Sequence, residues 1–190
     1  SASKNPAATF ADLFEDSVRI RMRSDVPVGV CLSGGLDSTA IICAAARQRG
    51  ETAAGQSESL QAFCYMAKEF DEAKYITDTL TQTRAQLRQL ETSPAELWSD
   101  LRQLLWFQDE PVHTMTAVVG YQLMRLAASN GIRVVLNGQG ADETIGGYSS
   151  YFQDYWVSLL RQGRVREAWQ AVTAYTEAHG GNSRQRLAAA

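Results

Sequence analysis

Histidine, cysteine and proline are scarce in this chain of 190 residues, with 2, 3 and 4 of each, and every scarcity closes off a class of explanation. His113 and His179 have no Cys or His partner at metal-ligand spacing, so they read as surface or packing residues rather than zinc ligands. No Ser, His, Asp order suggests hydrolysis. The odd number of cysteines argues against a disulfide framework. Cys31, Cys43 and Cys64 fall inside apolar strand or helix patterns and read as small buried hydrophobes of a reducing cytoplasm. No apolar run is long enough to span a bilayer, and Ser1-Ala-Ser-Lys-Asn-Pro6 lacks the charged and hydrophobic regions of a signal peptide. The start without an initiator Met points to residues left over from cloning or to a piece excised from a longer polypeptide. Basic residues are scattered and the formal net charge is −3, so neither nucleic acid nor a membrane surface is an expected partner. Self-association into a homo-oligomer stays open.

The chain is 45% hydrophobic and long enough to bury a core, as one domain or one domain with a short appendage. Phe10, Leu13, Phe14 and Val18 share one face of a first helix, with Thr9 as N-cap and Asp12 at the capping-box position. A strand over Val26–Leu32 leads into a helix over Thr39–Arg49 that stops at Gly50, and Glu51–Ser59 is a polar linker. Leu60–Met66 is a second strand, Asp71–Thr83 a helix and Gln86–Leu90 a short strand. Ser93-Pro94-Ala95-Glu96 supplies an N-cap, Pro at N1 and a capping-box Glu for a helix to about Phe107. A helix over Thr116–Ser129 and a β-branched strand over Ile132–Leu136 follow. Tyr151 to Ala178 is helical with a break at Gly163, and the tail Gly180–Ala190 is expected to be loosely held. Strands alternating with helices predict an α/β fold, a doubly wound parallel sheet with flanking helices, whose ligands bind beyond the carboxyl ends of the strands. Trp98, Trp106, Phe107, Trp156 and Trp169 stand at helical spacing and are expected in the core. Arg161, Arg164 and Arg166 read as a solvated face.

One string stands out. Ser33-Gly34-Gly35-Leu36-Asp37-Ser38 joins an apolar strand to a helix, and two glycines with the N–H groups of a new helix form a cradle for phosphate. Ser33 and Ser38 add hydroxyl donors. Asp37 would repel a phosphate unless a divalent cation lay between them, which points to Mg²⁺ and hence to a metal-bound nucleotide. No Lys follows the glycines, so this is not the phosphate loop of kinases and GTPases. A second glycine-rich turn, Asn137-Gly138-Gln139-Gly140-Ala141-Asp142-Glu143, follows the strand Ile132–Leu136. Both turns leave the carboxyl end of a parallel strand, so Asp37 and Asp142 are candidates to share one metal. Equally, Asp142 and Glu143 can simply cap the next helix.

The first string resembles the pyrophosphate loop of the N-type ATP pyrophosphatases. With Gly138 to Tyr148, Asp-Val-Pro-Val-Gly before the first loop, Phe70-Asp-Glu-Ala-Lys-Tyr75 and Asp109-Glu-Pro-Val, the chain from about Phe10 to Tyr151 resembles the synthetase domain of glutamine-hydrolysing asparagine synthetases. The resemblance implies an adenine nucleotide alpha hydrolase-like fold, with a synthetase domain over 1–150 and a helical continuation over 151–190. It implies adenylation of the aspartate β-carboxylate by ATP with Mg²⁺, and attack by ammonia to give asparagine, AMP and pyrophosphate. Ser33, Gly34, Gly35, Leu36 and Ser38 would hold the pyrophosphate, Asp37 and Asp142 the Mg²⁺, and backbone at Cys31, Tyr65, Asn137 and Gly138 the nucleotide. In the longer enzymes ammonia comes from glutamine through an amino-terminal glutaminase domain, absent from these residues. Two departures bear on the chemistry. Gln139 stands where the family usually has Glu, and an amide is no base near neutral pH. Either another group such as Glu143 serves, or the amide made is a different one, as in the β-lactam synthetases. The family's downstream basic residue has no match after Tyr151.

Overall fold

A computed structural model describes residues 5–52, 59–66 and 72–180. It divides into two compact units, Ser1–Gly138 and Gln139–Ala190. In the first, α1 (Pro6–Arg21), β1 (Val28–Cys31), α2 (Leu36–Thr52), β2 (Gln61–Tyr65), α3 (Ala73–Thr83), β3 (Gln86–Leu90), α4 (Pro94–Gln108), α5 (Thr116–Ser129) and β4 (Val134–Leu136) follow in order. The four strands are parallel in the order β3-β2-β1-β4. The chain therefore winds outward from β1 to β2 and β3, then returns to the other side of β1. That reversal is the topological switch point at which open α/β sheets bind ligands.

Side chains of a strand alternate between faces, and both faces of this sheet are covered. Val30, Ala62 and Cys64 join Val18 of α1, Ile42, Ala44 and Ala45 of α2 and Ile76 of α3 in one core. Phe63, one residue out of step, turns to the opposite face and packs with Ala127 of α5 and Ile132. Behind α5 lies α4, tied to it by Asp100, which accepts from Gln122 Nε2 at 2.7 Å and pairs with Arg125 at 2.8 Å.

Several boundaries differ from those predicted. Asn5, not Thr9, caps α1, because Pro6 opens the helix and the Asn5 side chain accepts from the Ala8 N–H at 3.1 Å. Thr9 already donates its own N–H to the Asn5 carbonyl, so Asp12 is past the capping-box position. The second helix starts at Leu36 and runs through Gly50, whose φ is not left-handed, to Thr52. The Ser93–Glu96 capping box forms as read, and Asp109 closes α4 at φ 57°. The remainder of the linker at 53–58, Phe70 and Asp71 of the third segment, and the tail at 181–190 lie outside the described residues.

Of the aromatics expected in the core only Trp156 is buried. Trp98, Trp106, Phe107 and Trp169 are exposed, as are Phe10 and Leu13 of α1. Helical spacing marks a shared face but not which side of an outer helix meets the protein, and α4 buries Leu104 instead. Cys64 is buried while Cys31 and Cys43 are half-buried. Burial pushes the Cys31 and Cys64 thiols up from 9.0 to about 11. A fold that favours the protonated thiol keeps this contribution to stability in full below pH 9 and loses it as pH rises towards 11. Alkylation needs the thiolate, so iodoacetamide at pH 8 is expected to modify Cys64 in the native chain at less than about a tenth of its rate in urea. Equal rates would contradict its burial.

The second unit holds α6 (Ala141–Ile145), α7 (Ser149–Arg161) and α8 (Val165–His179). Trp156 and Leu159 of α7 and Ala168 and Val172 of α8 are buried, and the helices are joined through Gly163 at φ 72°. Tyr175 is a ring hub. It meets Phe152 at 4.7 Å, Trp156 at 5.4 Å and His179, stacked, at 4.2 Å, which places His179 in a packing role.

Candidate functional site

The loop Ser33-Gly34-Gly35 leaves the carboxyl end of β1 and opens α2. Thr39 N–H donates to the Gly35 carbonyl at 3.1 Å, closing the first turn, so the N–H groups of Leu36, Asp37 and Ser38 lie ahead of the helix's own hydrogen-bond ladder. These are the donors, backed by the helix dipole, that an anion would meet. The loop is braced from within. Ser38 Oγ accepts from the Ser33 N–H at 3.1 Å, lies 3.0 Å from Ser33 Oγ and donates to the Gly35 carbonyl at 3.2 Å. Ser38 is buried and acts mainly as the brace, whereas Ser33 is exposed and available to a ligand. Gly34 has φ +87°, and a Cβ there would lie 3.0 Å from Glu72 Cβ and 3.2 Å from the Glu72 carbonyl at the entry to α3. Glycine is required on both counts.

β4 pairs with β1 in the register Val30↔Leu136, so Asn137 and Gly138 leave the sheet beside the first loop. The approach is close: a Cβ on Gly138 would lie 3.0 Å from Asp37 Cβ and 3.4 Å from the Ser38 nitrogen. Cys31 and Tyr65 end β1 and β2 at the same edge of the sheet. Cys31, Ser33 to Ser38, Tyr65, Asn137 and Gly138 thus gather at the carboxyl ends of three adjacent strands. Asp37 is half-buried in the first turn of α2.

Gln139, Asp142 and Glu143 belong to the second unit. Gly140, at φ 89°, turns the chain into α6, which carries Asp142 and Glu143 in its first turn. The N–H groups of Gly146 and Gly147 donate to the Asp142 carbonyl at 2.9 and 3.0 Å. Tyr148, to which sequence reasoning assigns no role, donates its hydroxyl to Glu143 Oε1 at 2.8 Å. That bond holds the Glu143 carboxyl below, and the Tyr148 hydroxyl above, its ordinary range. An exposed carboxylate so engaged is a weaker base than a free one. The signal for the pair is its spacing of five residues across Gly146-Gly147, visible only once the turn is known.

Among the described residues no three His, Cys, Asp or Glu gather as a metal cage. Mg²⁺ needs none when phosphate oxygens and water complete its octahedron around one or two carboxylates. Asp37 beside the anion cradle fits that requirement. His113 and His179 are not part of any such group.

Comparison with known proteins identifies the family. The family described as asparagine synthase matches residues 9–190. The chain is 33% identical over 142 residues to asparagine synthetase (glutamine-hydrolysing) 1 of Bacillus subtilis, covering 74% of this chain and 21% of that protein. It is 30% identical over 150 residues to the putative asparagine synthetase (glutamine-hydrolysing) 2 of Methanocaldococcus jannaschii, covering 79% and 28%. It is also 26% identical over 174 residues to the amidase chry2 of Gibberella zeae, covering 86% and 25%. The chain spans between a fifth and just over a quarter of the length of these relatives.

Proposed function

The chain belongs to the asparagine synthase family, and on that premise we propose that its glycine-loop crevice binds Mg-ATP and activates a carboxylate for amide formation. The observation that carries the reading is the approach of Gly138 to Asp37 at the switch point of the sheet, which sets the backbone after β4 against a loop built for phosphate.

In this reading the N–H groups of α2 with Ser33, Gly34, Gly35 and Leu36 cradle the β- and γ-phosphates, braced by Ser38. Backbone at Cys31, Tyr65, Asn137 and Gly138 frames the rest of the nucleotide. Asp37 and Asp142 are the carboxylates that would hold Mg²⁺, which supplies charge neutralisation for the departing pyrophosphate. The β-carboxylate of aspartate attacks the α-phosphorus, the bond to the bridging oxygen breaks, and pyrophosphate leaves. Ammonia then attacks the acyl carbon and AMP departs, giving asparagine. Fixed donors aimed at a leaving group are the preorganised electrostatic catalysis that such transfers use. Glutamine, through a glutaminase domain of a longer chain, is the proposed nitrogen source. The free thiols suit the reducing cytoplasm, and among the described residues no helix is long and apolar enough to cross a membrane.

Gln139 favours a second reading, since an amide there cannot take a proton from the nucleophile. The acceptor would then be another carboxylate, amidated or cyclised. Exchange of labelled pyrophosphate into ATP, run with aspartate against a panel of carboxylic acids, separates the two. Exchange with aspartate is the expected result. Exchange with another acid alone would replace the substrate, and nucleotide binding without exchange on any acid would leave a binding module.

A further inference from the structure

The Gly146-Gly147 turn is closed twice over, once by backbone at Asp142 and once by a side chain at the next residue, Glu143. From one side the turn is held by its backbone, since both glycine N–H groups donate to the Asp142 carbonyl. A Cβ on Gly147 would fall 1.9 Å from Asp142 Oδ1, so the carboxylate rests on the α-carbon of Gly147, in space only glycine leaves open. From the other side Tyr148, the next residue, reaches back to Glu143 Oε1 at 2.8 Å, and its ring stands edge-on to Tyr151 of α7 at 5.5 Å. Two adjacent glycines are the residues with most backbone freedom to lose. Without the side-chain bracket, the surface under the Asp142 carboxylate depends on two backbone hydrogen bonds at the end of a five-residue helix. Resting on the reading of Asp142 as a carboxylate for Mg²⁺, we infer that Tyr148 is a positioning residue: its hydrogen bond to Glu143 closes the turn against which Asp142 is set.

Glu143 then serves as the acceptor of that bracket and acts through its neighbour, not upon the nucleophile. An acceptor oxygen is all the bracket asks of residue 143, so glutamine can replace glutamate there.

The test is calorimetric titration of the whole chain with the non-hydrolysable α,β-methylene-ATP, with and without Mg²⁺. Tyr148→Phe and Glu143→Ala are each expected to weaken the Mg²⁺-dependent affinity about tenfold, as loss of a supporting partner of a metal ligand does. The Mg²⁺-free affinity, set by the first loop, should stay put and report that the chain is folded. Glu143→Gln should remain within about twofold of the parent, and the double variant should lose no more than either single one. Asp142→Asn distinguishes the two levels of the argument. If it weakens Mg²⁺-dependent binding while Tyr148→Phe changes nothing, the bracket is overturned and the metal reading stands. If Glu143→Gln is as damaging as Glu143→Ala, Glu143 acts by its charge and the positioning role is likewise overturned. If Asp142→Asn has no effect, the premise and the inference fall together.

Discussion

Gly138→Val is expected to weaken the binding of Mg-ATP at least about a hundredfold, the scale of loss when reacting or binding groups are displaced by roughly an ångström. Its Cβ would meet Asp37 Cβ at 3.0 Å and the Ser38 nitrogen at 3.4 Å, and the two valine methyls extend that pressure into the first turn of α2. The turn cannot yield freely, because Ser38 is tied to both Ser33 and Gly35. Asp37→Asn is the companion. It keeps the shape and removes the charge, so it should abolish the dependence of affinity on Mg²⁺ while leaving metal-free binding in place. Calorimetry with ATP reads both, and a Gly138→Val chain that bound Mg-ATP normally would dissociate the second corner from the phosphate site.

Phe63→Ala is expected to lower the free energy of unfolding by about 3–5 kcal/mol, the usual cost of emptying a buried aromatic site. Phe63 is fully buried and is the β2 side chain that anchors the core on the α5 side of the sheet. Its space is shaped by a neighbour: a Cβ on Gly29 would lie 2.7 Å from Phe63 Cε2 and 3.1 Å from Ile132 Cγ2. Gly29→Ala alone should therefore overpack this face, and combining it with Phe63→Leu should recover part of the loss. Urea denaturation measures all three. A Phe63→Ala chain within about 1 kcal/mol of the parent would mean that this face collapses around the void.

Both loops were legible as residues because their function demands unusual composition: paired glycines, hydroxyls and an acid at the end of a buried strand. Thr116–Ser129 and Gln86–Leu90 were legible because Asn130-Gly131 and Ser93-Pro94 punctuate them sharply. A common end of the sheet for both loops was expected from parallel strands, but the strand order was not legible, since nothing in Ile132–Leu136 names β1 as its neighbour. The short α6 was read only as an alternative, a helix capped by Asp142 and Glu143, because five residues carry no periodicity. Thr9 alone was read as the cap of α1, and Pro6, by fixing the first helical φ one turn earlier, places the cap at Asn5 instead. The outward Trp98 and Trp106 illustrate the remaining gap, for a helix that packs on another helix shows its apolar residues in sequence without revealing which stripe is covered.

The order β3-β2-β1-β4 has a kinetic corollary. Pairing β1 with β2 and β2 with β3 closes loops of about thirty residues or fewer, whereas Val28 meets Val134 only across about a hundred. Chain-entropy cost rises with the length closed, and distant pairings are the slow ones. During synthesis a three-stranded core, phosphate loop included, can therefore consolidate while the fourth strand is still emerging, and the Asn137-Gly138 corner is added afterwards. On the proposed reading, a chain stalled before that pairing would be ordered yet lack the second corner of its nucleotide crevice.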